Sequence, residues 1–208
     1  MNYSTGHFSK TRVEAFSDGI FAIIVTLLVL EIKVPEIHQE NSTSELLKAL
    51  THLLPKFISW IISFMILCVV WVNHHRIFEQ LKGVTHGTFW LNANLILWCS
   101  LVPFPTALMG DYMDNSISLS IFGVVMAMVA MSFTLMRFHL LKNPSSLQDS
   151  TDVKHFRVAT VRSLFFGPLL YLAGASLGFI HPYLALSIYI FIPIYFIIFN
   201  STKSISHT

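Results

Sequence analysis

Charge is scarce in this sequence: 12% of its 208 residues are Asp, Glu, Lys or Arg, about half of the roughly 25% that covers an ordinary water-facing domain. The 13 Lys and Arg exceed the 11 acids by two, too small a surplus to neutralise a phosphate backbone, which argues against nucleic acid as a partner. Cysteine is almost missing as well. Cys68 and Cys99 both lie inside apolar runs, where they make neither a disulfide framework nor a paired-cysteine metal motif, and they read as small buried apolar residues. HExxH, GxSxG, Walker and dinucleotide glycine patterns are all absent, so no catalytic residues, cofactor or enzyme activity are expected. No internal repeat or low-complexity segment is visible, which leaves an inverted-repeat transporter without direct support.

What the chain has is hydrophobic residues, 54% of the total, with 13% aromatic and a mean hydropathy of +0.64. About 20 mostly apolar residues are needed to cross a bilayer. Six such runs appear, at about 13–34, 56–78, 88–109, 117–140, 158–180 and 183–200. The expectation is an all-α integral membrane protein, one six-helix domain over residues 1–208. Glu14 and Asp18 interrupt the first run and no small-residue cleavage pattern follows Leu30, so it reads as a span and not a signal peptide. Ser42 and Glu45 form a capping-box pattern before LLKALTHLL, predicting a short amphipathic helix outside the bilayer.

Positive charge next to spans stays in the cytoplasm. With the N-terminus inside, Lys10, Arg12, Arg76, Lys82, Arg137, Lys142, Lys154, Arg157, Arg162 and Lys203 are inside and only Lys33, Lys48 and Lys56 are outside. The loop after the third run carries Asp111 and Asp114 and no cation. Both termini are therefore expected in the cytoplasm.

The densest polar set at membrane depth is RVEAFSDGIFAIIVTLLVLEI, beginning at Arg12. Asp18 lies about 9 Å along the helix from Arg12, at the edge of the hydrocarbon. An unpaired charge there costs about 2 to 3 kcal/mol, so a partner is expected. The candidates at that depth are Asn73, His74, His75 and Arg76 on the second span, and Trp90, Asn92 and Asn94 on the third. Two readings stand side by side: a structural knot joining three helix ends, or a direct role in ion passage. His74 and His75 titrate near neutral pH and offer a switch, or serve as satisfied structural histidines.

Arg12, Phe16, Ser17 and Asp18 reproduce the RxxxFSD signature of the transmembrane protein 175 family of potassium channels, and the chain resembles that family through FAIIVTLLVLEIKVP, WVNHHR and FWLNANLILW as well. The resemblance implies a modestly potassium-selective cation channel without the TVGYG filter, which is absent here too. It also implies a prokaryotic, multi-pass protein of the cell membrane with one six-helix unit per chain, a homotetramer whose partners are potassium ions and lipid and which holds no metal beyond the permeating ion. Ile23, Leu27 and Leu30 share one face of the first helix over about 10 Å. By the same resemblance they are the aliphatic rings that constrict the pore, with Thr26 hydroxyls beside them; plain helix packing is the competing reading. Aliphatic rings gate by dewetting and do not replace a hydration shell, so selectivity is assigned to Thr26 and to the diameter at Ile23. The alternative function is a proton-coupled secondary transporter that uses Asp18 and the histidines as a relay.

Other marks are structural. Gly174 and Gly178 form a GxxxG that admits a close helix, Pro103, Pro105, Pro168 and Pro193 should kink or end their spans, and His139 and His181 sit at span ends as interfacial anchors.

Overall fold

The computed structural model describes residues 8–38 and 42–201, with side chains described through Ile198. Lys203 and both chain ends lie outside the described residues. Among the described residues every regular element is a helix, joined by two isolated bridges, Phe8 to Val84 and Leu81 to Leu147. The elements are α1 (Lys10–Leu27), continued by a 3-10 turn (Leu28–Glu31), α2 (Thr43–His52), α3 (Leu54–Glu79), α4 (His86–Leu101), α5 (Pro103–Asp111), α6 (Ser116–Lys142), a second 3-10 turn (Pro144–Ser146), α7 (Val153–Leu164), a π turn (Phe165–Leu169), α8 (Leu170–Leu177) and α9 (Pro182–Ser201).

Four helices, α2, α4, α6 and α7, begin at side-chain caps. Ser42 Oγ accepts from Glu45 N at 3.3 Å, Thr85 Oγ1 from Thr88 N at 3.2 Å and Asn115 Oδ1 from Ile117 N at 2.9 Å. Asp152 Oδ1 takes both Lys154 N and His155 N. Each cap satisfies an amide that the first helical turn leaves without a partner. The prolines act where the chain is already deep. Pro103 divides the expected span over 88–109 into α4 and α5, and the Val102 amide falls back on Cys99 O at 3.1 Å in a tighter turn. Pro168 has no amide to give, and the helix around it widens into the π turn.

Five helical segments are long and apolar enough to cross a bilayer: Lys10–Glu31, Leu54–Glu79, His86–Asp111, Ser116–Lys142 and Val153–Leu177, of 22 to 27 residues. The sixth run folds as α9, whose described apolar part, Pro182–Ile198, is shorter. The chain is a multi-pass membrane protein. α6 is its central post, packing on α4, α5, α7, α8 and α9. In α6, 61% of the apolar window is buried, against 28% in the first segment, which places α1 at the periphery.

Glycine permits the tightest crossing. A Cβ on Gly123 would strike the Tyr189 hydroxyl and come within 2.9 Å of Ala175 Cβ and 3.0 Å of Tyr171 O, and one on Gly174 would meet Tyr189 Cε1 at 2.7 Å. Tyr189 is fully buried and its hydroxyl donates to Leu119 O at 2.9 Å. The expected GxxxG approach thus brings α9 onto α8, with Gly178 facing Ala185. His139, expected as an interfacial anchor, has its ring against Gly87.

The two ends of the bundle are tied differently. At one end backbone bonds link Phe8 N to Val84 O (3.0 Å), Lys82 N to Ser146 O (2.9 Å) and Gln148 N to Gln80 O (2.8 Å), and Lys10 Nζ donates to Leu81 O at 3.1 Å. At the other, Lys56 Nζ lies 2.6 Å from Asp111 and the Tyr183 hydroxyl donates to Asp114 at 2.9 Å. Because the neighbours of Gly123 include backbone, Gly123→Ala is expected to cost about 1 to 3 kcal/mol by overpacking, read as a lowered thermal midpoint of the detergent-solubilised protein.

Candidate functional site: the first helix and its polar anchor

α1 is buried along one stripe and open along the other. Val13, Ser17, Phe21 and Ile24, continued by Leu28 in the 3-10 turn, follow the i, i+4, i+8, i+11, i+15 spacing and face the bundle. About 110° round the helix from that stripe Ile23 is 58% exposed, Leu27 43% and Leu30 66%, and Phe16 is exposed below. At 3.6 residues per turn Phe16, Ile23, Leu27 and Leu30 fall within an arc of about 60°. The 3-10 turn keeps the line straight, since positions i and i+3 eclipse there, Leu27 with Leu30. Thr26 lies on the flank of this line. Its hydroxyl proton is shared between Ile23 O at 2.8 Å and Ala22 O at 3.0 Å, which leaves the oxygen to present lone pairs outward.

The rotation of α1 is fixed by a buried chain of hydrogen bonds. Asn92 Nδ2 donates to Ser17 Oγ at 2.9 Å, and Ser17 Oγ donates to Val13 O at 2.9 Å. With its amide nitrogen so used, Asn92 offers Oδ1 to His74 Nε2 at 2.8 Å, and this nitrogen therefore carries the proton. Ser17, His74 and Asn92 are 0%, 1% and 1% exposed and come from α1, α3 and α4. The His74 ring stacks on Phe78 at 4.2 Å and meets Phe21 edge-on at 5.4 Å, a sleeve that excludes water from the three-helix node.

Asp18 stands outside this node. Its Oδ1 accepts from Trp71 Nε1 at 2.8 Å on an exposed face. The Trp71 ring stacks on His75 at 6.1 Å, and His75 Nε2 lies 3.3 Å from Glu79. Of the other residues expected here, Asn73 and Arg76 line a cavity elsewhere on α3. Trp90 is 59% exposed and donates to His86 Nε2 at 2.9 Å, and Asn94 donates to Ser132 Oγ at 2.7 Å on α6. Arg12 and Phe16 border a shallow hollow with Phe8 and Phe89. Sequence reasoning passed over Trp71. The signal for it was an indole N–H, which needs an acceptor, at the depth of an unpaired carboxylate. Among the described residues no group of three or more His, Cys, Asp or Glu side chains could hold a metal ion.

Comparison with known proteins bears on this geometry. Residues 12–103 match the family model described as the endosomal/lysosomal potassium channel TMEM175. The chain is 37% identical to a potassium channel of Chamaesiphon minutus over 89% of its own length and 92% of the relative's. It is 30% identical to a potassium channel of a Chryseobacterium species, over 91% and 93%. Among solved structures it is similar to a lysosomal potassium-selective channel TMEM175 homolog from Chamaesiphon minutus, with a TM-score of 0.80 at 35% identity over 91% of this chain and 96% of that one.

The buried node and the exposed Asp18 bond should differ in cost. Asn92→Ala strands the His74 N–H and is expected to destabilise the fold by about 1 to 3 kcal/mol. Trp71→Phe, at an exposed bond, should cost about 1 kcal/mol or less. Denaturant unfolding of the two variants in detergent measures the difference.

Proposed function

This chain belongs to the TMEM175 family, and we propose that its ion path runs along the open face of α1, between four copies of the chain. The protein is a potassium channel and not an enzyme. The observation that carries the proposal is the exposed line of Ile23, Leu27 and Leu30 on a helix docked along one side only. One helix encloses nothing, whereas copies around a closed cyclic axis do. In that arrangement the three residues form stacked aliphatic rings that exclude water when narrow and pass a hydrated ion when wide. Thr26 adds oxygen lone pairs at the level where selectivity between cations is set.

A route inside the protomer has the wrong electrostatics, because the large internal cavity is lined by Arg76, Arg137 and Arg162 and by no carboxylate. The polar node serves the pore indirectly: by fixing Ser17 inward it turns Ile23 and Leu27 outward. The carrier reading finds little support, since Asp18 bonds Trp71 while His74 bonds Asn92, and the carboxylate and the buried imidazole sit in separate hydrogen bonds.

Six crossings complete this reading. α9 has 20 residues, about 30 Å of helix and enough for the hydrocarbon core. An even number of crossings brings both termini to one side. The end that holds Lys10, Lys82, Lys142, Lys154 and the arginines is the cationic one, while the far end has Lys33, Lys48 and Lys56, so the former lies in the cytoplasm of a prokaryotic cell membrane.

Flux from liposomes loaded with potassium, caesium or sodium tests this. Leu27→Ala widens a ring and is expected to raise potassium flux several-fold; flux equal to wild type, with the variant inserted as well as wild type, would overturn a pore on α1. Thr26→Val is expected to lower the potassium-to-sodium ratio, and an unchanged ratio removes the hydroxyl from selectivity.

A further inference from the structure

Between α3, α6, α7 and α9 lies a cavity of about 730 Å³, within the ~300–1,000 Å³ of small-molecule sites. Its mouth is polar, with Arg76, Arg137, Arg162 and His155 beside Asn73 and Ser163, and no Asp or Glu lines any part of it. None of the three guanidinium groups is ion-paired among the described residues. The acids at this end are engaged elsewhere: Glu79 with His75, Asp149 with Lys82 and Asp152 with the first amides of α7. Arg137 is half-buried and its guanidinium carbon lies 5.2 Å over the Phe156 ring, so a cation stands there without a counter-charge. Such a charge calls for an anion.

Below the arginines the lining turns apolar, and its depth can be measured on two helices. Ile66 lies ten residues from Arg76 on α3 and Met126 eleven from Arg137 on α6, which is about 15 and 16 Å of helix rise. Both agree with half of the ~30 Å hydrocarbon core, the length of one leaflet.

We propose that this cavity binds one anionic phospholipid, its phosphate held by Arg76, Arg137 and Arg162 and an acyl chain filling the apolar column. Guanidinium groups take phosphate oxygens in pairs and keep their charge at any physiological pH. A mouth with three cations and no carboxylate also discriminates among lipids, because a choline headgroup brings an ammonium that finds no partner. The site depends on the membrane placement of the helices and not on where the pore lies, so it can fail while the pore reading stands.

The test is native mass spectrometry of the purified full chain with phosphatidylglycerol, phosphatidylcholine or inorganic phosphate, with thermal midpoints measured in parallel. The expected result is one phosphatidylglycerol retained per protomer, out-competing phosphatidylcholine by about tenfold or more, and a raised midpoint with phosphatidylglycerol alone. The double variant Arg76→Gln/Arg162→Gln should lose that preference, and Lys154→Gln, the loss of one cation outside the cavity, should keep it. Equal retention of the two lipids overturns the proposal. So does a midpoint raised as much by inorganic phosphate, which would make the site one for a free anion, or a loss in Lys154→Gln as large as in the arginine variant, which would make the attraction one of general surface charge. If the arginine variant does not fold, the wild-type lipid competition decides alone.

Discussion

A membrane helix has no hydrophobic reason to turn one apolar side inward and another outward, because lipid tails are as apolar as leucine. In α1 the choice is made by the hydrogen-bond chain from His74 through Asn92 to Ser17 and on to Val13 O. Every group in it is buried, and each donor has a use only if the serine faces α4. A rotation of α1 that turned Ile23 into the bundle would pull Ser17 out of the node and leave a histidine N–H and an asparagine amide in a dry site. The outward direction of Ile23, Leu27 and Leu30 follows from a serine about two to four turns away.

The rest of the bundle is built to leave that helix free on one side. α6 takes up most of the available packing partners, and the glycines at 123 and 174 let Tyr189 of α9 reach the centre and bond Leu119 O. α1 packs chiefly on α3 and α4, and its buried stripe joins the edge of the same core. The packing is therefore tightest where chain segments cross, and the exposed face of α1 is a plain aliphatic surface.

Much of the fold was legible in the sequence because the bilayer imposes a length rule that few sequences satisfy by accident. Five of the six apolar runs became helical segments long enough to cross, the sixth folds as the shorter α9, and the polar cap at Ser42 sits where the capping pattern put it. The break at Val102 falls where Pro103 was expected to interrupt its span. For the site, spacing alone placed Ile23, Leu27 and Leu30 on one face. The partners of Asp18 were not accessible in the same way. Depth along a helix can be counted from sequence, but the rotation of one helix against another cannot. Trp71 and His75 stack on one exposed face of α3 and reach Asp18 and Glu79, while His74 between them turns inward to Asn92.

The aliphatic line on α1 has a consequence for how such a protein is made. In the four-copy pore proposed above, a newly inserted single chain leaves this face against acyl chains. Isoleucine and leucine are at home there, whereas a filter of carbonyls or carboxylates would expose unsatisfied polar groups to oil until the last subunit arrived. On that proposal the working surface is one that lipid itself can cover before assembly.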